Sequence, residues 1–317
     1  MAAVGESTMA ILCIESEAAA RRWRAALERA IPGADVRAWP EAGQRDDIEM
    51  VLLWDELDAL ASLPNLKAAV ILGAGVDHLF RTGVAFPRHL QVARLVDPSI
   101  TSQMIEYVTL AVLVRTRHWD RYRDLQQAKK YEEIPAAVPA DVTIGILGLG
   151  VLGDAVARTL AGIGYRVLGW SRSQRRIDGV QCFSGGDGLT RIAGQSDILV
   201  CLLPLTSDTR DMLNKNLFAR MKKGAYLINA GRGGHLVEED LLAAIETGQL
   251  AGATLDVQRT EPMPADHPFW HHPAIRITPH IATLTSPEFC AAQVAENYRR
   301  LKAGQPLANA IDPARQY

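Results

Sequence analysis

Three glycines between an apolar run and a helical pattern constrain the fold of this chain more than any other feature. Gly148, Gly150 and Gly153 stand in IGILGLGVLGDAVARTL with the spacing GxGxxG. In a strand–turn–helix unit the first glycine permits a tight turn, the second lets the backbone approach a pyrophosphate, and the third lets the helix pack on the strand. We therefore expect the amides of Val151 and Leu152 to face the phosphates of a dinucleotide. A plain turn that binds nothing is the alternative.

The residues that end the next strand indicate which dinucleotide is bound. Proteins that bind NAD usually carry Asp or Glu there, which accepts hydrogen bonds from the ribose 2′-hydroxyl. Here the strand is followed by Ser171, Arg172 and Ser173, without a carboxylate. A neutral serine and a cationic arginine suit a 2′-phosphate, and Arg175 and Arg176 add positive potential unless they are only a solvated surface run. The sequence predicts a preference for NADP(H), with NAD(H) possible.

Short β-branched runs alternate with helical stretches along the chain, which is typical of α/β domains with parallel sheets. Before residue 100 the pattern predicts a helix at 17–29 and strands at 9–14, 50–53 and 68–72. After residue 140 it predicts six strands, at 143–147, 166–170, 197–203, 225–229, 253–255 and 275–277. We expect an α/β protein of two doubly wound parallel-sheet domains, Rossmann-like or flavodoxin-like, with a cleft between them.

A long stretch without Gly or Pro, residues 101–131, predicts a single connecting helix between the two domains. Ser286-Pro287-Glu288 predicts the start of a last helix that runs to about residue 303. We therefore expect a substrate-binding domain of residues 1–105 plus 285–317. Residues 106–284 would form the dinucleotide-binding domain.

Composition argues against several other classes of protein. Of 317 residues 48% are hydrophobic and 22% are charged, and the net charge is −2, which argues against disorder and against nucleic acid as a partner. Cys13, Cys182, Cys201 and Cys290 lack CxxC spacing, so neither a disulfide framework nor a metal site is expected. No run approaches the ~18 apolar residues of a membrane span, and the N-terminus is unlike a signal peptide. We expect a cytoplasmic protein with no membrane partner.

Four stretches, in order along the chain, resemble the D-isomer-specific 2-hydroxyacid dehydrogenases. They are LGAGVDH (72–78), GILGLGVLG (145–153), LINAGRGGHLVEEDLLAAIETGQLAGATLDV (227–257) and EPMPADHPFWHHPAIRITPHIA (261–282). Within the family, the WSR at 170–172 and the ending IDPARQY are most similar to bacterial glyoxylate/hydroxypyruvate reductases of the A type. The resemblance implies NADPH-dependent reduction of glyoxylate to glycolate and of hydroxypyruvate to glycerate. It also implies a homodimer, which the apolar first half of the predicted long helix favours.

The resemblance implies roles for particular residues. Arg232 would bind the carboxylate and carbonyl oxygen of a 2-oxoacid, and His280 would donate a proton to that oxygen. Glu261 would hold the imidazole and favour its cationic form. Each follows a predicted strand, where open α/β sheets bind ligands. The resemblance implies further cofactor contacts by Leu203, Pro204, Thr209, Ala230, Gly231, Asp256 and Ala282. Among these, Asp256 would touch the nicotinamide amide.

The resemblance places a second anchor in the first domain. Small residues after the strand at 68–72 would expose the amides of Ala74 and Gly75 as an anion site, unless they form a simple turn. Trp54 would either wall the substrate pocket or pack in the core. Gln258 and Arg259 depart from the aromatic or apolar residue that often follows Asp-Val in the family. The resemblance therefore does not fix the shape of the substrate pocket.

Two other interpretations remain. The first is a different D-2-hydroxyacid dehydrogenase, of the D-lactate, phosphoglycerate or formate type, although formate enzymes usually carry Gln at the position of Glu261. The second is a dinucleotide-sensing, corepressor-like binding protein, which can keep Arg232, Glu261 and His280. An NADPH oxidation assay with and without glyoxylate separates the second from an enzyme.

Overall fold

A computed structural model of the chain describes residues 9–54, 56–73, 75–76, 79, 87 and 89–311. It divides into a first unit, residues 1–100 with 284–317, and a second unit, residues 101–283. The α-helices within the described ranges are α1 (Glu17–Ala30), α2 (Ile100–Thr116), α3 (Trp119–Gln127), α4 (Val151–Ile163), α5 (Gly185–Gln195), α6 (Lys215–Phe218), α7 (Glu238–Glu246) and α8 (Pro287–Lys302).

The first unit is built on a parallel sheet with the strand order β2-β1-β3-β4-β5. Alternate residues of the inner strands serve two cores, one on each face of the sheet, as in parallel sheets covered on both sides. On one face Trp23 of α1 and Val294 of α8 pack on Met50 and Leu52. The strands are β1 (Ala10–Ile14), β2 (Asp35–Ala38), β3 (Ile48–Leu53), β4 (Ala68–Ile71) and β5 (Gln91–Arg94).

The second unit carries a parallel sheet with the order β12-β11-β10-β9-β6-β7-β8. The chain starts at β6, steps outward to β8, and then returns to β9 and proceeds to the opposite edge. The strand order therefore reverses between β6 and β9, and α/β sheets bind ligands beyond the carboxyl ends of the strands at such a switch point. The strands are β6 (Thr143–Leu147), β7 (Arg166–Ser171), β8 (Val180–Ser184), β9 (Ile198–Cys201), β10 (Ala225–Asn229), β11 (Leu250–Leu255) and β12 (Ile275–Ile277).

The predicted fold class, α/β with two doubly wound parallel sheets, is confirmed. The prediction of one helix over 101–131 is wrong. Helix α2 ends at Thr116 and α3 begins at Trp119, because His118 between them adopts a left-handed conformation with φ 55°. Strands β2, β5 and β8 were not predicted. Within the described part of the chain, no helix combines the length and apolar character needed to cross a bilayer.

Candidate active site

The glycine turn connects β6 to α4 at the switch point of the second sheet. Gly148 has φ 102°, and its N–H donates to the carbonyl of Trp170 at 2.8 Å. A Cβ on Gly153 would lie 1.8 Å from the carbonyl oxygen of Gly148, so the helix can approach the turn only with glycine there. At Gly150 a Cβ would meet no described atom within 4 Å. Packing thus requires the outer two glycines, whereas the middle one borders open space in front of the first turn of α4, where Val151 and Leu152 lie.

The turn after β7 is polar and carries no carboxylate between residues 171 and 176. Ser171 donates its hydroxyl to the carbonyl of Ser173 at 2.8 Å, which curls the chain into a tight turn. Arg172 and Ser173 are exposed on it. Gln174 donates to the carbonyl of Cys182 on β8 at 3.3 Å and anchors the turn to the sheet. The arrangement offers hydroxyls and a guanidinium to an anionic group.

A second turn at the switch point follows β9. Leu203 is buried, and Pro204 beside it is exposed. The hydroxyl of Thr209 donates to the carbonyl of Pro204 at 2.8 Å and accepts the N–H of Thr206 at 2.8 Å. These two hydrogen bonds hold residues 204–209 in a compact turn. The turn follows β9, the strand next to β6 in the sheet.

Arg232 lies on the loop that leaves β10. Buried Asn229, the last residue of β10, accepts the N–H of Gly231 at 3.2 Å and donates to the carbonyl of Arg232 at 3.1 Å. The guanidinium of Arg232 donates to the carbonyl of Gly231 at 2.8 Å. Ala230 is buried in this loop. The side chain of Asn229 therefore fixes the backbone on which Arg232 stands.

His235 is a residue of this loop that the sequence reasoning missed. Its ring is fully buried, and its Nδ1 accepts the N–H of Arg232 at 3.1 Å. Its Nε2 lies 3.2 Å from the carbonyl oxygen of Pro204. The buried ring therefore joins the Arg232 loop to the turn after β9. The sequence signal that could have identified His235 is its position three residues after Arg232, inside a segment that resembles the family.

The Arg232 loop packs directly on the loop that carries Glu261. A Cβ on Gly233 would lie 1.8 Å from the carbonyl oxygen of Gln258, so the two backbones touch. The N–H of Gln258 donates to Glu261 Oε1 at 2.9 Å. Gln258, which departs from the family pattern, thus supports the carboxylate through its backbone.

Glu261 and His280 form a close pair. Glu261 Oε2 lies 2.8 Å from His280 Nδ1, and their side chains are 35% and 29% exposed. Burial by itself would raise the pKa of Glu261. The hydrogen bonds from His280 and from the Gln258 amide, together with the charges of His280 and Arg232, outweigh burial and lower that pKa below its usual value. The carboxylate is therefore ionised at neutral pH.

Asp256, directly after β11, holds the turn that contains His280. It is 1% exposed, and its Oδ1 accepts the Thr278 hydroxyl at 2.6 Å and the Ile281 N–H at 2.8 Å. Its Oδ2 accepts the N–H of Ala282 at 2.7 Å. Three of the roughly four acceptor positions of this carboxylate are thus used within the chain. The structure shows Asp256 as a support of the His280 turn, a role that the sequence did not indicate.

Arg232, Asp256, Glu261 and His280 are brought together because β10, β11 and β12 are neighbours in the sheet and end at one edge. Residues in this arrangement can grip an anion, hold an ionised carboxylate against an imidazole and move a proton. Within the described residues, no group of three or more His, Cys, Asp or Glu side chains is arranged to hold a metal ion.

The substrate residues expected in the first unit are described only in part. The ring of Trp54, which follows β3, lies over Gly73, where a Cβ would be 2.4 Å from Trp54 Cζ3. Gly75 is half-buried, and Ala74 lies outside the described residues. Trp54 therefore packs on the turn that follows β4, where the anion site was expected.

Comparisons with known proteins agree with this architecture. Residues 109–282 match the family model of the D-isomer specific 2-hydroxyacid dehydrogenase, NAD binding domain. The chain is 44% identical over 298 residues to glyoxylate/hydroxypyruvate reductase A of Serratia proteamaculans, covering 92% of this chain and 95% of that one. It is 41% identical over 303 residues to the protein of the same name from Yersinia enterocolitica, covering 94% and 96%.

Solved structures are similar over nearly the whole chain. The NADPH-dependent glyoxylate/hydroxypyruvate reductase of Sinorhizobium meliloti, in complex with NADP and sulfate, is 35% identical with a TM-score of 0.86, and the match covers 97% of this chain and 100% of that one. A D-isomer specific 2-hydroxyacid dehydrogenase from Xanthobacter autotrophicus, in complex with NADPH and MES, is 35% identical with a TM-score of 0.85, covering 98% and 100%.

Proposed function

Because the chain belongs to the D-isomer specific 2-hydroxyacid dehydrogenase family, we propose that it reduces glyoxylate to glycolate and hydroxypyruvate to glycerate with NADPH. The observation that carries this proposal is the contact of His280 Nδ1 with the ionised Glu261 on a loop packed against the Arg232 loop. The names of the Serratia and Yersinia relatives and the NADP complex of the Sinorhizobium enzyme support it.

The three side chains divide the work of the reaction. Arg232 binds the carboxylate and the carbonyl oxygen of the 2-oxoacid, since its planar guanidinium presents paired donors. NADPH, when bound, supplies the hydride that the carbonyl carbon receives. His280 donates a proton from Nε2 to the carbonyl oxygen, which completes the hydroxyl group of the product. Glu261 holds Nδ1 and stabilises the imidazolium before the transfer.

The residues of the second unit fit NADPH. The open space at Gly150 lets a pyrophosphate reach the amides of Val151 and Leu152 at the start of α4. The turn after β7 suits a 2′-phosphate, because it presents hydroxyls and a guanidinium in place of a carboxylate. NADP(H) is therefore preferred to NAD(H). Ala230, Gly231, Ala282 and the Leu203–Thr209 turn would flank the nicotinamide end, and Asp256 would add its remaining acceptor position.

We assign dinucleotide binding to the second unit, which contains the matched NAD binding domain, and substrate anchoring to the first unit. In the first unit, the amides of Ala74 and Gly75 would bind the substrate carboxylate, with Trp54 as a wall beside them. The packing of Trp54 on Gly73 supports this placement, since it fixes the ring next to that turn.

We also propose that the protein is a homodimer. Leu110 on α2 and Trp119 on α3 are 62% and 67% exposed. Large exposed apolar side chains on these two helices favour a second copy as the partner that covers them.

The test is an NADPH oxidation assay over a panel of 2-oxoacids that includes glyoxylate, hydroxypyruvate and pyruvate. We expect turnover with glyoxylate and hydroxypyruvate and a much weaker rate with NADH. NADPH binding without turnover of any 2-oxoacid would contradict the proposal and favour the sensor interpretation. A clear preference for pyruvate would assign the chain to the D-lactate type.

A further inference from the structure

Two hydroxyl groups connect helix α2 to the carboxylate that holds the His280 turn. The hydroxyl of Tyr107, on α2, lies 2.6 Å from Thr278 Oγ1. Thr278 Oγ1 in turn lies 2.6 Å from Asp256 Oδ1. The three side chains therefore form a continuous chain of short hydrogen bonds within the second unit.

The direction of this chain follows from the chemistry of its members. The hydroxyl of Thr278 donates its single proton to Asp256 Oδ1, and the same carboxyl group also accepts two backbone N–H groups. Tyr107 must then donate to Thr278. Burial raises the pKa of Tyr107; the hydrogen bond with Thr278 partly offsets this, and the charge of Asp256 raises it again. The phenol thus keeps its proton and remains a donor.

Asp256, the last member of this series of hydrogen bonds, binds the backbone of His280 and of the two residues that follow it. The side chain of Asp256 binds the N–H groups of Ile281 and Ala282, and its backbone carbonyl accepts the N–H of His280 at 2.8 Å. His280 has φ 55°, a left-handed conformation that a side chain with a Cβ rarely adopts unless its surroundings impose it. The hydrogen bonds to Asp256 restrain the backbone at and after this residue.

We propose that Tyr107 and Thr278 are positioning residues for the proton donor. They fix the orientation of the Asp256 carboxylate, which fixes the turn at 280–282 and so keeps the imidazole of His280 on Glu261. This inference rests on the proposed function, in which His280 gives the proton. It assigns a role in the reaction to a helix that carries none of the reacting groups.

The experiment compares Thr278→Val, which keeps the shape but removes the hydroxyl, with Thr278→Ser, which keeps the hydroxyl. Tyr107→Phe removes the first donor of the chain. A matched control exists in the same sheet, because the hydroxyls of Tyr226 and Thr254 are also buried and lie 3.0 Å apart. Thr254→Val breaks that second tyrosine–threonine hydrogen bond, in which the threonine hydroxyl pairs with Tyr226 rather than with Asp256.

We expect Thr278→Val to lower kcat with glyoxylate on the order of 10- to 100-fold, the scale of a small misplacement of a reacting group. Tyr107→Phe should lower kcat less, and Thr278→Ser should restore most of it. Thr254→Val should show a similar loss in Tm with kcat close to that of the wild type. The KM for NADPH should change less than kcat in Thr278→Val.

A second readout uses the apoprotein and does not require turnover. The ring resonances of His280, observed by NMR across a pH titration, should shift in Thr278→Val and Tyr107→Phe and stay in place in Thr254→Val. Equal kcat values in Thr278→Val and Thr254→Val, with unmoved His280 resonances, would overturn the inference. If the wild type reduces no 2-oxoacid, the proposed function fails. The NMR resonances of His280 alone then decide whether the Tyr107–Thr278–Asp256 hydrogen bonds position His280.

Discussion

Glu261 Oε2 contacts His280 Nδ1 at 2.8 Å while its other oxygen, Oε1, accepts the N–H of Gln258 at 2.9 Å. Both oxygens of the carboxylate are thus engaged, one by the backbone and one by the ring. A carboxylate held in this way cannot rotate away from the imidazole without losing a second hydrogen bond. The negative charge therefore stays beside the imidazole of His280.

We predict that Glu261→Gln shifts the pH dependence of glyoxylate reduction. In the proposed mechanism, reduction falls with rising pH once the proton donor is lost, and removal of the neighbouring negative charge should move that fall to lower pH. The measurement is kcat against pH for both proteins, with the Kd for NADPH determined separately and expected to change little. Glu238→Gln is the control, because Glu238 faces His267 at 3.3 Å in a second Glu–His pair with no proposed role.

His280→Ala should lower kcat on the order of 10² or more while NADPH still binds. The physical reason is that the variant lacks the side chain that protonates the carbonyl oxygen in the proposed mechanism. The measurement is kcat per folded molecule, taken beside a thermal melt on the same preparation. A normal kcat with a lowered Tm would remove His280 from the mechanism and leave it a packing role.

The acid dependence of stability should report Glu261. Its pKa in the folded chain lies below the ordinary value of about 4.3 expected for the unfolded chain. Its contribution to stability is therefore complete above about pH 4.3 and is lost as pH falls through the lower folded value. The difference in Tm between the wild type and Glu261→Gln should not shrink between neutral pH and about pH 5 and should shrink below that. A difference that already shrinks between pH 7 and 5 would contradict the lowered pKa.

Arg172→Ala should change the choice of cofactor. A hydrogen bond to a charged group contributes roughly 1.5–3 kcal/mol, so KM for NADPH should rise by about 10- to 150-fold while KM for NADH changes little. The control is Arg21→Ala, which removes an exposed arginine from α1 in the first unit. Equal changes for both cofactors would show that Arg172 is only a surface charge.

The three glycines of the turn should separate into two classes. Gly153→Ala places a methyl group 1.8 Å from the carbonyl oxygen of Gly148, so we expect a poorly folded protein. Gly150→Ala places a methyl group in open space at φ −75°, so the Tm should stay near that of the wild type. The same methyl group would obstruct the pyrophosphate, so the Kd for NADPH should rise. Unchanged NADPH affinity in Gly150→Ala would argue against dinucleotide binding at this turn.

Light scattering at micromolar concentration should give the mass of a dimer. Leu110→Arg and Trp119→Arg should lower it towards the monomer, because each places a charge on the exposed apolar surface of α2 and α3. Phe289→Arg is the control, since Phe289 is comparably exposed, at 61%, on α8 in the first unit. A monomeric mass for the wild type would contradict the proposal.

Among the described strands, the central ones could be predicted from the sequence, whereas the edge strands β2, β5 and β8 could not, although the edge strand β12 could. Strands β1, β6 and β10 are mostly apolar and are buried along their whole length, so composition alone locates them. Strands β2 and β5 are the sheet edges of the first unit, and β8 is an edge of the second. Each edge strand has polar residues such as Arg37, Gln91 and Gln181, which weaken the apolar signal.

The site shows the same division between local and distant information. The glycine turn and the positions of Arg232, Glu261 and His280 after strands were accessible, because each depends on neighbours in sequence. The support of His280 was not accessible, because Tyr107 is 171 residues away from Thr278 in the chain. The break at His118 also escaped prediction, since a left-handed histidine has no compositional signal comparable to Gly or Pro.

The packing of α8 beside α1 has a consequence for synthesis on the ribosome. The second unit is one continuous stretch of chain, whereas the core of the first unit needs Val294 and Tyr298 from α8 beside Trp23 and Leu27 from α1. At roughly 5–20 residues per second, the partner of α1 emerges only after tens of seconds of translation. The unit that begins first is thus completed last, and during that interval one face of its sheet lacks the part of its cover that α8 supplies. A nascent chain of this topology therefore presents apolar surface to chaperones while the later-made unit is already able to close.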